Sequence, residues 1–207
     1  MSATYFRRSF FERAPDEVAR DLIGAFIIVR TPPPRVVARI VETEAYGGRD
    51  DPASHAYRGP TPRSQIMFGP AGFLYVYRIY GIYWCMNVVT GSEGSACAVL
   101  LRAAWLGDGD VRSLESREPV RYLSGPGNLT KALGIDGADN GRDCCVATGR
   151  VTFRPAEAAL EPGQIGQTTR IGLSRGTERR SRYVWVGHPA VSPARRPKDR
   201  GGASPKP

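Results

Sequence analysis

The chain has 207 residues, enough for one domain of ordinary size, and its 41% hydrophobic and 24% charged residues are those of a globular protein. No apolar run approaches the roughly 20 residues of a membrane helix, and Met1 to Ser9 lacks the apolar core and cleavage site of a secretory signal. The formal charge of +9 suits a phosphate-bearing partner. Arg195, Arg196, Lys198, Arg200 and Lys206 against Asp199 give residues 193–207 +4, which leaves +5 on residues 1–192.

Cys85, Cys97, Cys144 and Cys145 show no C-x-x-C spacing, and only His55 and His188 could join them. Neither a zinc site nor a disulfide framework is expected, and no metal or other cofactor. Cys85 and Cys97 lie in apolar, strand-like runs and read as small buried hydrophobes. This usage suits a reducing, cytoplasmic compartment.

No internal repeat is present. Pro15 at a first helical position, Asp16 and Glu17 in the first turn, and apolar Val18, Leu22 and Ile23 predict a short helix. The β-branched runs Phe26–Arg30 and Val36–Glu44, split by TPPPR, predict paired strands. Gly47–Pro62, rich in Gly, Asp and Pro, predicts a long loop of the kind that carries function. Three runs follow, Phe73–Ile79, Ile82–Val89 and Ala96–Ala103, separated by Tyr80-Gly81 and by TGSEGS; they predict an antiparallel meander. A helix is expected at Gly127–Leu133, and short strands at Arg150–Arg154, Arg170–Leu173 and Arg182–Val186. The expected fold is a single mixed α+β domain over residues 1–192, built around a curved antiparallel sheet with a protruding β-hairpin. Residues 193–207 hold almost nothing apolar to bury and are expected to form a disordered basic tail.

Chemistry-bearing residues concentrate between Glu42 and Arg102. In ARIVETEAY, Glu42 and Glu44 share a strand face. A carboxylate at a strand end that opens into a long loop is a candidate general base, with a solvated strand-end pair as the alternative. The loop supplies Tyr46 and His55; a lone loop histidine is ordinarily a surface side chain. FLYVYRIYGIYWCMN packs Tyr75, Tyr77, Tyr80, Tyr83 and Trp84 around one arginine. Filling of a half-buried strand accounts for Tyr75 and Tyr83 but not for Tyr80, which falls at the hairpin turn. A tip aromatic on a basic protein suits a wedge inserted between stacked bases.

These strings carry a resemblance. RIVETEAY, DDPASHAYRGPTPRS, MFGPAGFLYVYRIYGIYWCMN and AVLLRA, in that order, resemble successive blocks of the alkyladenine (3-methyladenine) DNA glycosylase family. SGPGNLTKALGI and RIGLSRGTERRSRYVWVGHPAVS are similar in kind and order, so the resemblance spans roughly residues 14–192. It implies that the family's general base falls on Glu44, and the arginine near the base-site water and the flipped nucleotide's phosphate on Arg102. The aromatic walls around an extruded base fall on Tyr46, His55 and Tyr77. Ala53 and His55 would contact the base edge by their backbones, Asn87 would guard against guanine, and Tyr80 would intercalate. The implied activity is that of a monofunctional glycosylase of base excision repair, acting on alkylated or deaminated purines in double-stranded DNA and leaving an abasic site. No lysine falls in the motif cluster, so no Schiff-base nucleophile is expected there. A nucleoid-associated monomer with no cofactor and no membrane partner is expected. Two other readings stand beside it. A non-catalytic DNA-binding protein would find Glu44 a liability beside phosphates, and an RNA- or nucleoside-directed N-glycosidase would have no stack for Tyr80 to fill.

Overall fold

The computed structural model describes residues 4–30, 36–106, 123–156 and 158–193. Two short helices open the chain, α1 (Arg8–Phe11) and α2 (Pro15–Asp21). Pro15 begins α2, and Asp16 and Glu17 lie in its first turn, where the helix dipole favours negative charge. Val18 of α2 and Leu22 just past its end are fully buried, each such side chain contributing roughly 1.5–3 kcal/mol. The sequence pattern gives no sign of α1, because a helix of four residues is too short to show a period.

The strands are β1 (Phe26–Val29), β2 (Val36–Tyr46), β3 (Leu74–Ile79), β4 (Tyr83–Thr90), β5 (Cys97–Trp105), β6 (Val151–Arg154), β7 (Ile165–Thr168) and β8 (Arg182–Trp185). They form one curled antiparallel sheet in the order β3-β4-β5-β2-β1-β6, with β8 also on β2 and β7 on β8. β2 is the branch point. One of its edges pairs with β5 from Arg39 to Tyr46, while the other serves β1 at Val36–Arg39 and β8 at Glu42–Glu44. The expected meander is β3-β4-β5. A third helix, α3 (Pro126–Leu133), packs over β4 and β5 and ends at Gly134, whose φ of 62° suits a residue without Cβ.

Strand alternation gives the sheet two faces. Leu74, Val76, Met86, Val88, Val99 and Leu101 point to the main core with Val18, Leu22, Leu129 and Leu133. Tyr75, Val89 and Ala98 belong to a second cluster, closed by Ala56 and Met67. The site is built on that second face.

Several expectations are corrected. Arg170–Leu173 is not a strand; the strand of that region is β7, which lacks apolar alternation and so left no signal. Gly172 has φ 78°, incompatible with an extended run, and the neighbouring Ile171 N–H is drawn to a side chain of β2. Tyr46 closes β2 and is not part of the loop. Tyr83 is 44% exposed and Cys97 only half-buried, whereas Cys85 and Tyr75 are buried. The expected tail lies outside the described residues from residue 194 onward. Among the described residues no helix is long and apolar enough to cross a membrane.

Candidate active site

Cross-strand register assembles one row of side chains on the second face. Tyr75 opposes Asn87, Asn87 opposes Leu100, Leu100 opposes Glu44, and Glu44 opposes Arg182. The ladder between β2 and β5 slips twice around Glu42, so that Val41 and Arg102 face no residue in the register. Such bulges re-aim side chains beside functional sites.

A cavity of about 790 Å³ opens over this row. Tyr46, Ala53, His55, Tyr77, Tyr80, Asn87 and Arg102 all line it, together with Ser124 to Pro126, Ile171 to Leu173 and the Val191–Pro193 segment. Glu44 is the exception among the expected residues: it is wholly buried beneath the lining. Its Oε2 accepts from the Tyr46 hydroxyl at 2.9 Å and from Arg102 Nη1 at 3.2 Å, and its Oε1 accepts from the Ile171 N–H at 2.7 Å. A solvated strand-end pair is therefore excluded.

Glu42 lies equally deep. Its Oε1 accepts from Arg102 Nε at 2.7 Å, Arg182 Nε at 2.8 Å and the Ser192 hydroxyl at 2.8 Å, while Oε2 accepts from the Ser192 N–H at 2.7 Å. Burial alone would push the Glu42 carboxyl up, yet Arg102, Arg182 and Ser192 hold it below the ordinary carboxylate range. Burial likewise opposes the charge on Arg102, and Glu44 and Glu42 more than offset it, raising the guanidinium above its ordinary value. Arg102 thus bridges the two carboxylates.

The walls are aromatic. The His55 and Tyr77 ring centroids stand 4.6 Å apart at 69°, and His55 Nδ1 shares a 2.8 Å hydrogen bond with the Tyr75 hydroxyl. Burial pushes the Tyr75 phenol up to about 12, so it stays protonated at neutral pH. Partial burial and the Arg63 charge push His55 below 6.5, which keeps its ring neutral. Asn87 is anchored by its amide, which donates to the Tyr75 carbonyl at 3.0 Å. Arg170 lies over the Tyr46 ring at 4.6 Å and forms a buried two-pronged pair with Asp51, locking the Ala53 loop to the Ile171 segment.

At the cavity's rim the β3–β4 hairpin ends in Tyr80 and Gly81, both with positive φ, 52° and 70°. Ile82 N–H closes the turn on Ile79 O at 3.2 Å. Tyr80 is 84% exposed and Ile82 67%, which leaves an apolar tip facing solvent. A tyrosine in left-handed conformation is strained, and such strain gathers at functional sites.

The sequence profile of one family, methylpurine-DNA glycosylase, matches residues 9–189, most of the chain. The chain belongs to this family. Relatives provisionally named 3-methyladenine DNA glycosylase include one from Synechococcus sp., 52% identical over 76% of this chain and 83% of its own. One from Streptomyces avermitilis is 40% identical over 93% and 92%, and one from Methanoculleus marisnigri 43% identical over 89% and 96%.

Within this methylpurine-DNA glycosylase fold, sequence reasoning missed the supports of the site. Arg182 and Ser192 lie 140 and 150 positions from Glu42, and nothing in their local pattern points to it. The members of the Asp51–Arg170 pair are 119 positions apart. Tyr75 could have been found: it alternates with Tyr77 on a strand and so had to share the face on which His55 acts. Among the described residues no three His, Cys, Asp or Glu side chains gather to hold a metal ion.

Proposed function

We propose that this protein is a monofunctional DNA glycosylase that extrudes an alkylated or deaminated purine from double-stranded DNA and hydrolyses its N-glycosidic bond. The observation that carries the reading is the aromatic cavity whose floor hides the Arg102-bound Glu44 carboxylate, beside the exposed Tyr80 tip. An N-glycosidic bond is out of reach inside the stack, so the nucleotide must leave it. Tyr80 fills the vacated space, a role that its exposure supports.

Tyr46, His55 and Tyr77 enclose the extruded purine, where stacking contributes roughly 1–3 kcal/mol per base. A cationic base such as 3-methyladenine gains further from aromatic faces. A neutral His55 suits that occupant, since an imidazolium would repel it. The Ala53 and His55 backbones read the base edge, and Asn87 obstructs guanine.

Glu44 is the general base. Among the described residues Oε2 accepts two hydrogen bonds and Oε1 one, which leaves Oε1 a lone pair for the nucleophilic water. Water oxygen bonds to C1′ as the C1′–N bond breaks, its electron pair leaves with the purine, and Glu44 takes the water proton. The carboxylate also stabilises the oxocarbenium-like transition state. Arg102 fixes the carboxylate. A cationic purine departs neutral, whereas hypoxanthine must be protonated as it leaves. The described lysine, Lys131 on α3, does not line the cavity, in keeping with an abasic-site product and no amine nucleophile. We infer a monomer, as one chain supplies every wall of the cavity.

Duplex oligonucleotides carrying 3-methyladenine, hypoxanthine, ethenoadenine or 7-methylguanine test this. Free base is expected, with strand breaks only after hot alkali and no protein–DNA adduct trapped by borohydride. Release of no base overturns the activity, and a trapped adduct overturns the monofunctional chemistry.

A further inference from the structure

Glu42 is a buried carboxylate on the strand of the base, and the mechanism above leaves it unused. It is wholly buried, yet it accepts four hydrogen bonds from three separate parts of the chain: Arg102 of β5, Arg182 of β8, and Ser192. The chain runs from β8 past His188 to Ser192, and this strap forms a wall of the cavity through Val191, Ser192 and Pro193.

Arg102 is where the two acids meet. Its Nε lies 2.7 Å from Glu42 and its Nη1 3.2 Å from Glu44, so the shorter, stronger bond of the guanidinium goes to the acid that does no chemistry. A guanidinium is planar, and fixing Nε on Glu42 fixes the direction in which Nη1 points. Arg182 completes the frame: its Nε shares Glu42 Oε1, its Nη2 donates to the Ser192 carbonyl at 2.9 Å, and its Nη1 reaches the Thr168 hydroxyl at 3.1 Å. Backbone and side chain of Ser192 are both held.

We infer that Glu42 is a positioning residue for excision: with Arg182 it holds Arg102 in register on Glu44 and pins the Ser192 strap as a cavity wall. This rests on the reading of Glu44 as the base. A Glu42→Gln side chain keeps the shape but turns one oxygen into a donor that faces the Ser192 N–H or the arginines. Arg102 then loses its anchor while Glu44 and the aromatic walls stay. Binding of DNA through the exposed Tyr80 tip and the aromatic walls is retained.

The test is single-turnover excision from a lesion-bearing duplex at saturating enzyme, with duplex affinity and thermal melting measured alongside. Glu42→Gln is expected to slow excision roughly 100-fold, the loss typical of a misplaced group at a reacting centre, with affinity changed less than about threefold, within the scatter of independent sites. In an Arg102→Lys background the same change is expected to cost less than about threefold, because residues acting through one another are not additive. An equal loss in both backgrounds, or an unslowed folded Glu42→Gln protein, overturns the inference. Should Glu42→Gln not fold, Arg182→Lys replaces it in the same cycle, and an equal loss in both backgrounds there overturns the inference. Wild-type excision on the same duplex separates the two levels. Its absence overturns the parent reading and the inference together, whereas wild-type excision with additive losses overturns the inference alone.

Discussion

Two positions on one strand, Glu42 and Glu44, carry the same side chain into different work because their neighbours differ. Among the described residues Glu42 accepts four hydrogen bonds, from two arginines and from both groups of Ser192, while Glu44 accepts three, from Tyr46, Arg102 and the Ile171 N–H. At this scale His55 gives a measurable consequence. Its ring is held below 6.5 by partial burial and by Arg63, so the neutral form is favoured in the fold. As pH falls, the unfolded chain takes up the proton first. The contribution of this group to stability is therefore complete above about pH 6.5 and is lost as pH drops below it. Titration of the His55 ring by NMR should give a midpoint below 6.5, and Arg63→Ala should raise it. A wild-type midpoint at or above 6.5 would contradict the neutral wall. The shared face of Glu42 and Glu44 was legible from alternation, but their burial was not. Burial depends on β8 and the Ser192 strap arriving from more than 130 residues away.

Among the elements, the hairpin is the one whose sequence and structure agree most fully. Tyr80-Gly81 between apolar runs marked a turn, and the turn leaves Tyr80 out in solvent. Tyr80→Gly removes a left-handed non-glycine residue, worth about 1 kcal/mol, against a similar entropic cost for the added glycine. The melting temperature should barely move. Excision should fall, and more for a well-paired lesion than for one opposite a mismatch, because a weakly paired base needs less help to stay out. A large loss of melting temperature with unchanged excision per folded molecule would make Tyr80 a packing residue. The meander was equally legible, since its three runs are apolar and cleanly separated. Failure came at Arg170–Leu173, where apolar residues imitate a strand. Arg170 is in fact committed to Asp51, and the Ile171 N–H to Glu44. Local pattern cannot report such long-range bonds.

For the whole molecule, part of the positive charge lies apart from the site, beyond Pro193. The site needs residues up to Pro193, which lines the cavity, whereas five of the cations lie beyond it. Truncation after Pro193 should weaken binding to damaged and undamaged duplex alike and flatten the salt dependence, since the slope falls by about 0.9 for every phosphate that is no longer neutralised. A selective loss of lesion binding would show instead that those residues act at the cavity. The central claim is that Glu44 is the base, and Glu44→Gln tests it most directly, by single-turnover excision alongside lesion-duplex affinity. Gln keeps the shape and can hold a water but cannot take its proton. The account predicts lesion binding within a few-fold of wild type and excision reduced at least about 100-fold, as for loss of a general base. Excision near the wild-type rate would contradict it.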